Sequence, residues 1–280
     1  SVDVYTTFKP ISMGFFIPTI KNLALFLLYL IRDYFIRYWG TLFMKFTQVT
    51  VATLLALGAV STQAKPIWQD FSVSGLYGEN YEVVDEKQTT LTLEYTAKVK
   101  YADVFFFVDR MRGGDDSKSS YFELSPRLSL GEVSGQKLAF GPVKDVLVST
   151  TWEGGEGFDN FLYGVGFDLD IPYFRYASIN LYRANNENID DDYQLTLTYG
   201  VPFKLGTEEF LVDGFLDWST EEDDHKSEMN WTTQWKWNVG KHISPDTNLY
   251  LGIEHSVWNN KYGIPNADEN NVSALVKYHF

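Results

Sequence analysis

The chain has no cysteine among its 280 residues. That excludes a disulfide scaffold, a thiolate metal site and a cysteine nucleophile. Basic residues are scarce: 23 Lys and Arg stand against 37 Asp and Glu, a formal charge of −14. A nucleic-acid partner needs a basic surface for its phosphates, so none is expected. The four histidines are scattered, which argues against a metal site, and no cofactor is expected. Long apolar runs are missing as well. The run Leu23–Ile31 is broken by Arg32 and Asp33 and falls short of the roughly 20 residues of a spanning helix. A mean hydropathy of −0.20 is far too polar for a helical membrane protein.

What the chain does have is aromatic residues, 17% of the total, with 18 Tyr, 21 Phe and 8 Trp. That share is high for a soluble domain and natural for a membrane barrel with aromatic girdles. A barrel also reconciles membrane residence with low hydropathy, because half of its wall residues face water.

The first residues are not read as fold. Met44-Lys45 opens a charged start, Val49–Val60 is a short apolar run, and Thr62-Gln63-Ala64 supplies small residues for a signal peptidase. Residues 44–64 are therefore expected to be a signal peptide cleaved after Ala64. Residues 1–43 precede it and are read as spurious upstream sequence translated from a misplaced start. An intact mass of the native chain beginning at Lys65 is the expected result. Residues 65–280 form the barrel.

From Lys65 onward no helical period persists, and alternating segments recur between polar clusters. They are Phe71–Gly78, Thr89–Lys100, Ala102–Arg110, Tyr121–Leu130, Val143–Trp152, Phe161–Asp170, Phe174–Arg183, Tyr193–Phe203, Phe210–Ser219, Trp231–Gly240, Leu249–Trp258 and Val272–Phe280. In Thr89–Lys100, Leu91, Leu93, Tyr95, Ala97 and Val99 share one face, and Thr90, Thr92, Glu94, Thr96 and Lys98 the other. Each segment approaches the roughly 9–11 residues of a tilted membrane strand. The number of segments is even, and closure leaves no unpaired edge in lipid. The fold class expected is all-β, a twelve-stranded antiparallel transmembrane barrel of the bacterial outer membrane.

Connections after odd-numbered strands are acidic and read as longer than those after even-numbered strands. Longer loops belong outside the cell, which places both termini in the periplasm. Phe280 ends the last strand, the ending expected of a chain whose final strand is read by the barrel-assembly machinery. A soluble sandwich or lipocalin-like barrel would alternate too. Against it stand apolar-face residues such as Trp231, Trp235 and Trp237, too bulky for a small closed core, and an opposite face carrying Glu94, Lys98, Glu123, Arg127, Asp213, Asp217, Lys236 and Glu254.

Four successive runs narrow the reading: Glu123-Leu-Ser-Pro-Arg-Leu-Ser129, Phe140-Gly-Pro-Val-Lys144, Gly164-Val-Gly-Phe-Asp-Leu-Asp170 and Ser178-Ile-Asn-Leu-Tyr182. Together they resemble the motifs of the nucleoside-specific channel-forming proteins, the Tsx family, and within it the OmpK branch. The similarity covers roughly 65–280 and is densest over 121–182. It implies a monomeric twelve-stranded outer-membrane barrel that passes nucleosides, surrounded by lipid and lipopolysaccharide, with external loops that some members present to bacteriophage. The loops and mature length look shorter than in the enteric nucleoside channels.

A nucleoside pairs a flat base with a polyhydroxyl sugar. A selective pore needs aromatic rings for the base, polar groups for the sugar, and binding weak enough for release. Strand parity supplies inward candidates. The third strand offers Asp103, Phe105, Phe107 and Asp109; the fourth, Tyr121, Glu123 and Arg127; the sixth, Asp168. The seventh offers Tyr176 and Tyr182, with Asn180 between them; the ninth, Asp213, Phe215 and Asp217; the tenth, Lys236; the eleventh, Tyr250 and Glu254. The inward Gly164 and Gly166 are expected to widen the bore. Girdle packing for the phenylalanines and ion pairing across the bore for the charges are the structural alternatives.

Two other functions compete. Asp223-Asp224-His225 resembles half of the Asp/His site of barrel proteases, but no convincing acidic partner faces it, and Glu221–Glu228 reads as a solvated acidic cap. His255 and Ser256 are strand neighbours pointing to opposite faces, so they cannot form a nucleophile–base pair. The other rival is a structural or adhesion barrel without a conducting pore, its acidic loops holding divalent cations, lipopolysaccharide or a partner surface.

Overall fold

The alternation of apolar and polar residues along each segment becomes a wall with two unlike faces. A computed structural model describes residues 65–280; the expected signal peptide and upstream extension lie outside the described residues. Among the described residues there are twelve strands: β1 (Trp68–Glu79), β2 (Lys87–Lys98), β3 (Ala102–Gly113), β4 (Lys118–Ser129), β5 (Val143–Gly155), β6 (Phe158–Leu169), β7 (Tyr176–Asn185), β8 (Tyr193–Leu205), β9 (Glu208–Ser219), β10 (Met229–Asn238), β11 (Asn248–Asn259) and β12 (Glu269–His279). Each pairs antiparallel with its sequence neighbours, and β1 pairs with β12, closing the barrel. The seam runs from Ser72↔His279 to Glu79↔Val272. Below it the Phe280 amide donates to the Phe71 carbonyl at 2.9 Å, and the two rings lie 5.4 Å apart.

The faces are inverted relative to a soluble core. Leu91 and Trp235 point outward and stay 50% and 51% exposed, whereas Ser149 and Lys236 point inward and are 0% and 2% exposed. Apolar surface left facing out over every strand suits hydrocarbon, and polar side chains satisfy one another inside. This excludes the soluble barrel and establishes the transmembrane one.

All twelve expected segments are strands, but their ends move. Glu153–Asn160, read as a connection, is mostly wall: β5 and β6 leave only Glu156 and Gly157 between them. Three glycines and three acids imitate a loop there. In fact the glycine at 155 makes room for a ring, since a Cβ on it would lie 2.6 Å from Phe158. Leu130 leaves its strand for a short helix, Leu130–Ser134, whose Glu132 amide is capped by the Ser129 Oγ at 3.0 Å. Phe174 precedes its strand, in a turn closed by its amide on the Ile171 carbonyl at 3.1 Å.

Connection length does not distinguish the two ends. The 130–142 connection, on the end that carries Trp68 and His279, is longer than any on the far end, because strands such as β3 and β4 continue pairing into the expected loops. Charge does distinguish them. The far end sets Glu82, Asp85, Glu86, Asp115, Asp116, Glu156, Glu187, Asp190, Asp191, Asp192 and residues 221–224 against Lys226 and Lys261 in its connections, while the end with the strand termini mixes Lys100, Lys137, Arg175 and Lys241 with its acids.

Candidate functional site

Inward-facing side chains fill the bore in three groups. The first is a set of charged struts. Arg127 on β4 grips Asp103 on β3 with two bonds, 2.8 Å from Nε and 3.0 Å from Nη2, and its Nη2 also lies 3.1 Å from Asp168 on β6. A planar guanidinium fork suits this geometry. Lys236 on β10 donates to Asp213 on β9 at 2.7 Å. Lys277 on β12 pairs with Glu94 on β2, reaching past β1. Three further acids are held by neutral donors: Asp109 by the Thr92 hydroxyl at 2.5 Å, Glu254 by the Gln234 amide at 2.8 Å, and Asp217 by the Thr196 hydroxyl.

The glycines of β6 do not widen the bore. The Ser149 hydroxyl on β5 donates to the Asn180 Oδ1 on β7 at 2.9 Å, directly over Gly166. A Cβ at that position would fall 2.2 Å from Ser149 Oγ and 2.6 Å from Asn180 Oδ1. At Gly164 it would fall 1.8 Å from the Leu181 carbonyl oxygen. Absence of a side chain lets the flanking strands reach one another, so the gap is filled rather than open. Tyr182 belongs to this packing: it is buried against Leu162 and Ala184, with Thr151 Oγ1 3.4 Å from its hydroxyl.

The third group is a ladder of rings. Phe105 and Phe107 on β3 lie 5.7 Å apart, Phe107 and Tyr121 on β4 5.7 Å, and Tyr121 and Phe158 on β6 6.0 Å. These spacings are within aromatic contact. Beside the ladder, Tyr121 Oη lies 2.6 Å from Glu123 Oε1 and 2.9 Å from Glu153 Oε2, two acids directly opposed across β4 and β5. One hydroxyl has one proton, so the pair keeps acceptor capacity beyond what Tyr121 fills. Asn160 Nδ2 donates to the other Glu153 oxygen at 3.0 Å. Ring faces next to carboxylate acceptors can hold a flat solute with hydroxyl or amino donors.

Of the residues singled out from sequence, the structure brings Phe105, Phe107, Tyr121 and Glu123 into this ladder. Phe215 stands apart, its register partners being Thr198 and Thr232. Tyr176 lies over Gly200, its ring 2.4 Å from where a Cβ would be, and Tyr250 meets the His279 ring edge-on at 5.5 Å. Phe158 and Glu153 escaped the sequence reading because their segment read as a loop. The parity of Phe158 with Leu162 and Gly164 was the available signal.

At the acidic mouth the 221–228 stretch is a solvated cap at Glu221, Asp223 and Asp224, built around one buried side chain. His225 is buried, with Nδ1 2.6 Å from Asp224 Oδ1 and Nε2 3.2 Å from Asp192 Oδ2. An acidic partner for His225 thus exists, from the neighbouring connection, but both ring nitrogens are occupied, which leaves neither for acid–base work on a substrate. Burial alone would push the His225 pKa down. The Asp224 hydrogen bond and the Asp192 charge outweigh it and hold the value above the ordinary 6.5. Asp192 is raised by burial despite His225, while the more exposed Asp224 is lowered by its bond to the ring. Connection 260–268 joins the same group, its Gly263 carbonyl accepting from the Lys226 amide at 2.9 Å. Lys261 pairs with Glu269 and sits 4.8 Å from the Trp258 ring and 5.4 Å from the Tyr262 ring.

Comparison with known proteins agrees with this architecture. The family described as "Nucleoside-specific channel-forming protein, Tsx" matches residues 65–279. Outer membrane protein OmpK of Vibrio parahaemolyticus is 27% identical over 165 residues, covering 54% of this chain and 63% of that protein. The match therefore spans less than two thirds of that relative. The nucleoside-specific channel-forming protein Tsx of Klebsiella aerogenes is 24% identical over 259 residues, covering 77% of this chain and 85% of that one. Among solved structures, the NanC porin aligns with a TM-score of 0.49 at 10% identity, over 74% of this chain and 98% of the other. With a family match over the whole barrel and a closed wall of twelve strands, the chain belongs to the nucleoside-specific channel-forming (Tsx) family of outer-membrane β-barrels.

Proposed function

We propose that the barrel is an outer-membrane channel through which nucleosides, or small polar solutes of like shape, diffuse. The observation that carries this reading is the inward ladder Phe105–Phe107–Tyr121–Phe158 with Glu123 and Glu153 beside it. Rings at successive contact distances give a base a path on which leaving one face means meeting the next, and the carboxylates accept from sugar hydroxyls. The relatives named for nucleoside channels support the same class of permeant. In this reading the acidic end faces outward, both strand termini face the periplasm, and the protein works as a monomer. The outward loops are then the surface available to bacteriophage, and Phe280, 73% exposed at the seam, is presented to the assembly machinery.

Single-channel recording of the refolded protein with adenosine tests the reading. Adenosine should interrupt the current, and Phe107→Ala should raise the concentration for half-block roughly tenfold or more, since stacking is worth about 1–3 kcal/mol per base. Phe105→Ala should act likewise, and small-sugar leakage through liposomes should be unchanged in both. A current indifferent to adenosine overturns the nucleoside reading. A barrel that carries no current favours the structural alternative.

A further inference from the structure

At the end away from the strand termini the connections are 80–86, 114–117, 156–157, 186–192, 220–228 and 260–268. Each is bonded to the next. Asp85 accepts the Gly114 and Asp115 amides at 2.9 and 3.2 Å. Glu156 accepts the Ser120 amide, just past connection 114–117, at 2.6 Å. Asn188 Nδ2 donates to the Gly157 carbonyl at 2.7 Å. Asp224 accepts the Asp190 amide at 3.0 Å, beside the contact of His225 with Asp192. Asn260 Nδ2 donates to the Ser227 carbonyl at 2.9 Å, beside the bond from Lys226 to Gly263. Glu269, at the start of β12 and paired with Lys261, accepts the Glu82 amide at 2.8 Å and so returns to the first connection. The circuit of bonds is closed. A single bond of this kind adds little, but in a closed circuit no connection can swing without breaking two joints.

One joint differs in kind. Histidine is the side chain that changes charge near neutrality, and among these six joints only that of connections 186–192 and 220–228 contains one. As imidazolium, His225 donates from both nitrogens, to Asp224 and to Asp192. Neutral, it has one N–H for two carboxylates, and a lone pair then faces the other acid. Asp192 is buried, so water does not readily replace a lost donor. The other charges of the neighbouring connections are engaged elsewhere: Asp191 with Arg183 at 3.7 Å, Lys226 with Glu221, Glu228 with the Trp258 indole at 3.0 Å, Lys261 with Glu269, and Asp268 with the Asn260 amide at 3.0 Å. Glu187, Asp190, Glu222 and Asp223 complete the acids there, and none is within ion-pair distance of the ring among the described residues. Burial lowers the His225 pKa, but Asp224 and Asp192 hold it above 6.5. The charged joint is therefore complete below that pH and is lost as pH rises through the folded value.

We propose that the six connections form a single collar, which holds the mouth in one shape while His225 is charged and loosens as a whole when it is not. The device is independent of which solute the barrel passes. It differs from a local clamp in its reach, because the joint at Asp85 feels the state of His225 through the circuit.

Amide hydrogen exchange on the full barrel in lipid, corrected for intrinsic rate, tests the collar between about pH 6 and about pH 9. Raising the pH should quicken exchange about fivefold at Ser120 and Gly114 as well as at Asp190, the factor that one hydrogen bond of ordinary net strength is worth. Asp85→Ala should quicken the Asp190 amide by a like factor at the lower pH. His225→Gln should be loose at both pH values and show no step. Both substitutions lie outside the wall strands, so the barrel should close, and heat-dependent gel migration checks that it has. Distant amides that move with the joint support the collar. A pH step confined to Asp190 and Lys226, or an Asp190 amide indifferent to Asp85→Ala, means six separate joints and overturns it. A wild-type barrel without any pH step overturns the role of His225.

Discussion

Lys236 and Asp213 provide a sharp test of whether the charges in the bore are struts. The lysine side chain is 1% exposed and the aspartate side chain 15%, with 2.7 Å between ammonium and carboxylate. Gly252 is the register partner of Lys236 on β11, and Leu211 its partner on β9, so the lysine stem lies in a closely packed stretch of wall. Asp213→Asn removes the compensating charge and leaves the buried ammonium behind. Breaking such a pair costs about 3–5 kcal/mol, and the residual exposure of Asp213 places the expected loss near the lower figure, ~3 kcal/mol. The double variant Lys236→Met with Asp213→Leu removes both charges and fills the space with apolar atoms. It should recover to within ~1 kcal/mol of the parent, because replacing a buried pair by hydrophobic residues is often neutral. Urea unfolding of the barrel in lipid vesicles, followed by tryptophan fluorescence, reads both values. A loss under ~1 kcal/mol for Asp213→Asn would mean that water reaches the pair and that it is worth no more than a surface ion pair. A double variant as unstable as the single one would mean that the charges are needed for themselves, and the strut argument fails for Arg127, Asp103 and Asp168 as well.

Other consequences are as direct. Gly166→Ala should push apart Ser149 and Asn180 and cost ~1–3 kcal/mol for the groups left unpaired; adding Ser149→Ala should restore part of it in the same unfolding assay. The imidazolium of His225 is the form its two acids hold, since its pKa is raised. The clamp between connections 186–192 and 220–228 is therefore fully present below pH 6.5 and is lost as pH rises through the higher folded value. Hydrogen exchange at Asp190 and Lys226 amides should quicken across that rise, corrected for intrinsic rate, and a His225→Gln barrel should show no such step. Phe280→Ala removes ring contacts at 5.4 Å to Phe71 and 4.8 Å to Tyr278. The folded fraction recovered from membranes should drop, with adenosine block unaltered in the barrels that do close.

The wall was legible because its physics has a period. Every second residue meets lipid, and that rule placed Phe105, Phe107, Tyr121, Glu123, Arg127 and Asp213 on the inner face without any knowledge of partners. What lies between inner residues has no period. That Arg127 would choose Asp103 and Asp168, or that Ser149 would reach Asn180, depends on stagger between strands, which the chain does not spell out. The inner row of β6 shows the cost: Gly164 and Gly166 read as empty space because a single strand cannot reveal what its neighbours extend over it. Composition misled at 153–160, where glycines and acids mean loop in most proteins but here continue the wall to Phe158. Asn238 was invisible for a different reason: it breaks no pattern, and only the three-dimensional neighbourhood shows its Oδ1 to be buried with no hydrogen-bond partner among the described residues.

The seam between β1 and β12 also sets a clock. Asp70 and His279, bonded at 2.7 Å, are 209 positions apart in the chain. Every other strand pairing joins sequence neighbours, so the sheet can grow hairpin by hairpin, but its two edges meet only after the last strand exists. Until then the growing sheet carries two rows of unpaired amides and carbonyls that invite any other strand. Non-local closure is the slow kind. The interval between synthesis and closure is therefore the period of greatest risk to this molecule, and its survival depends on how long those two edges are kept from other chains.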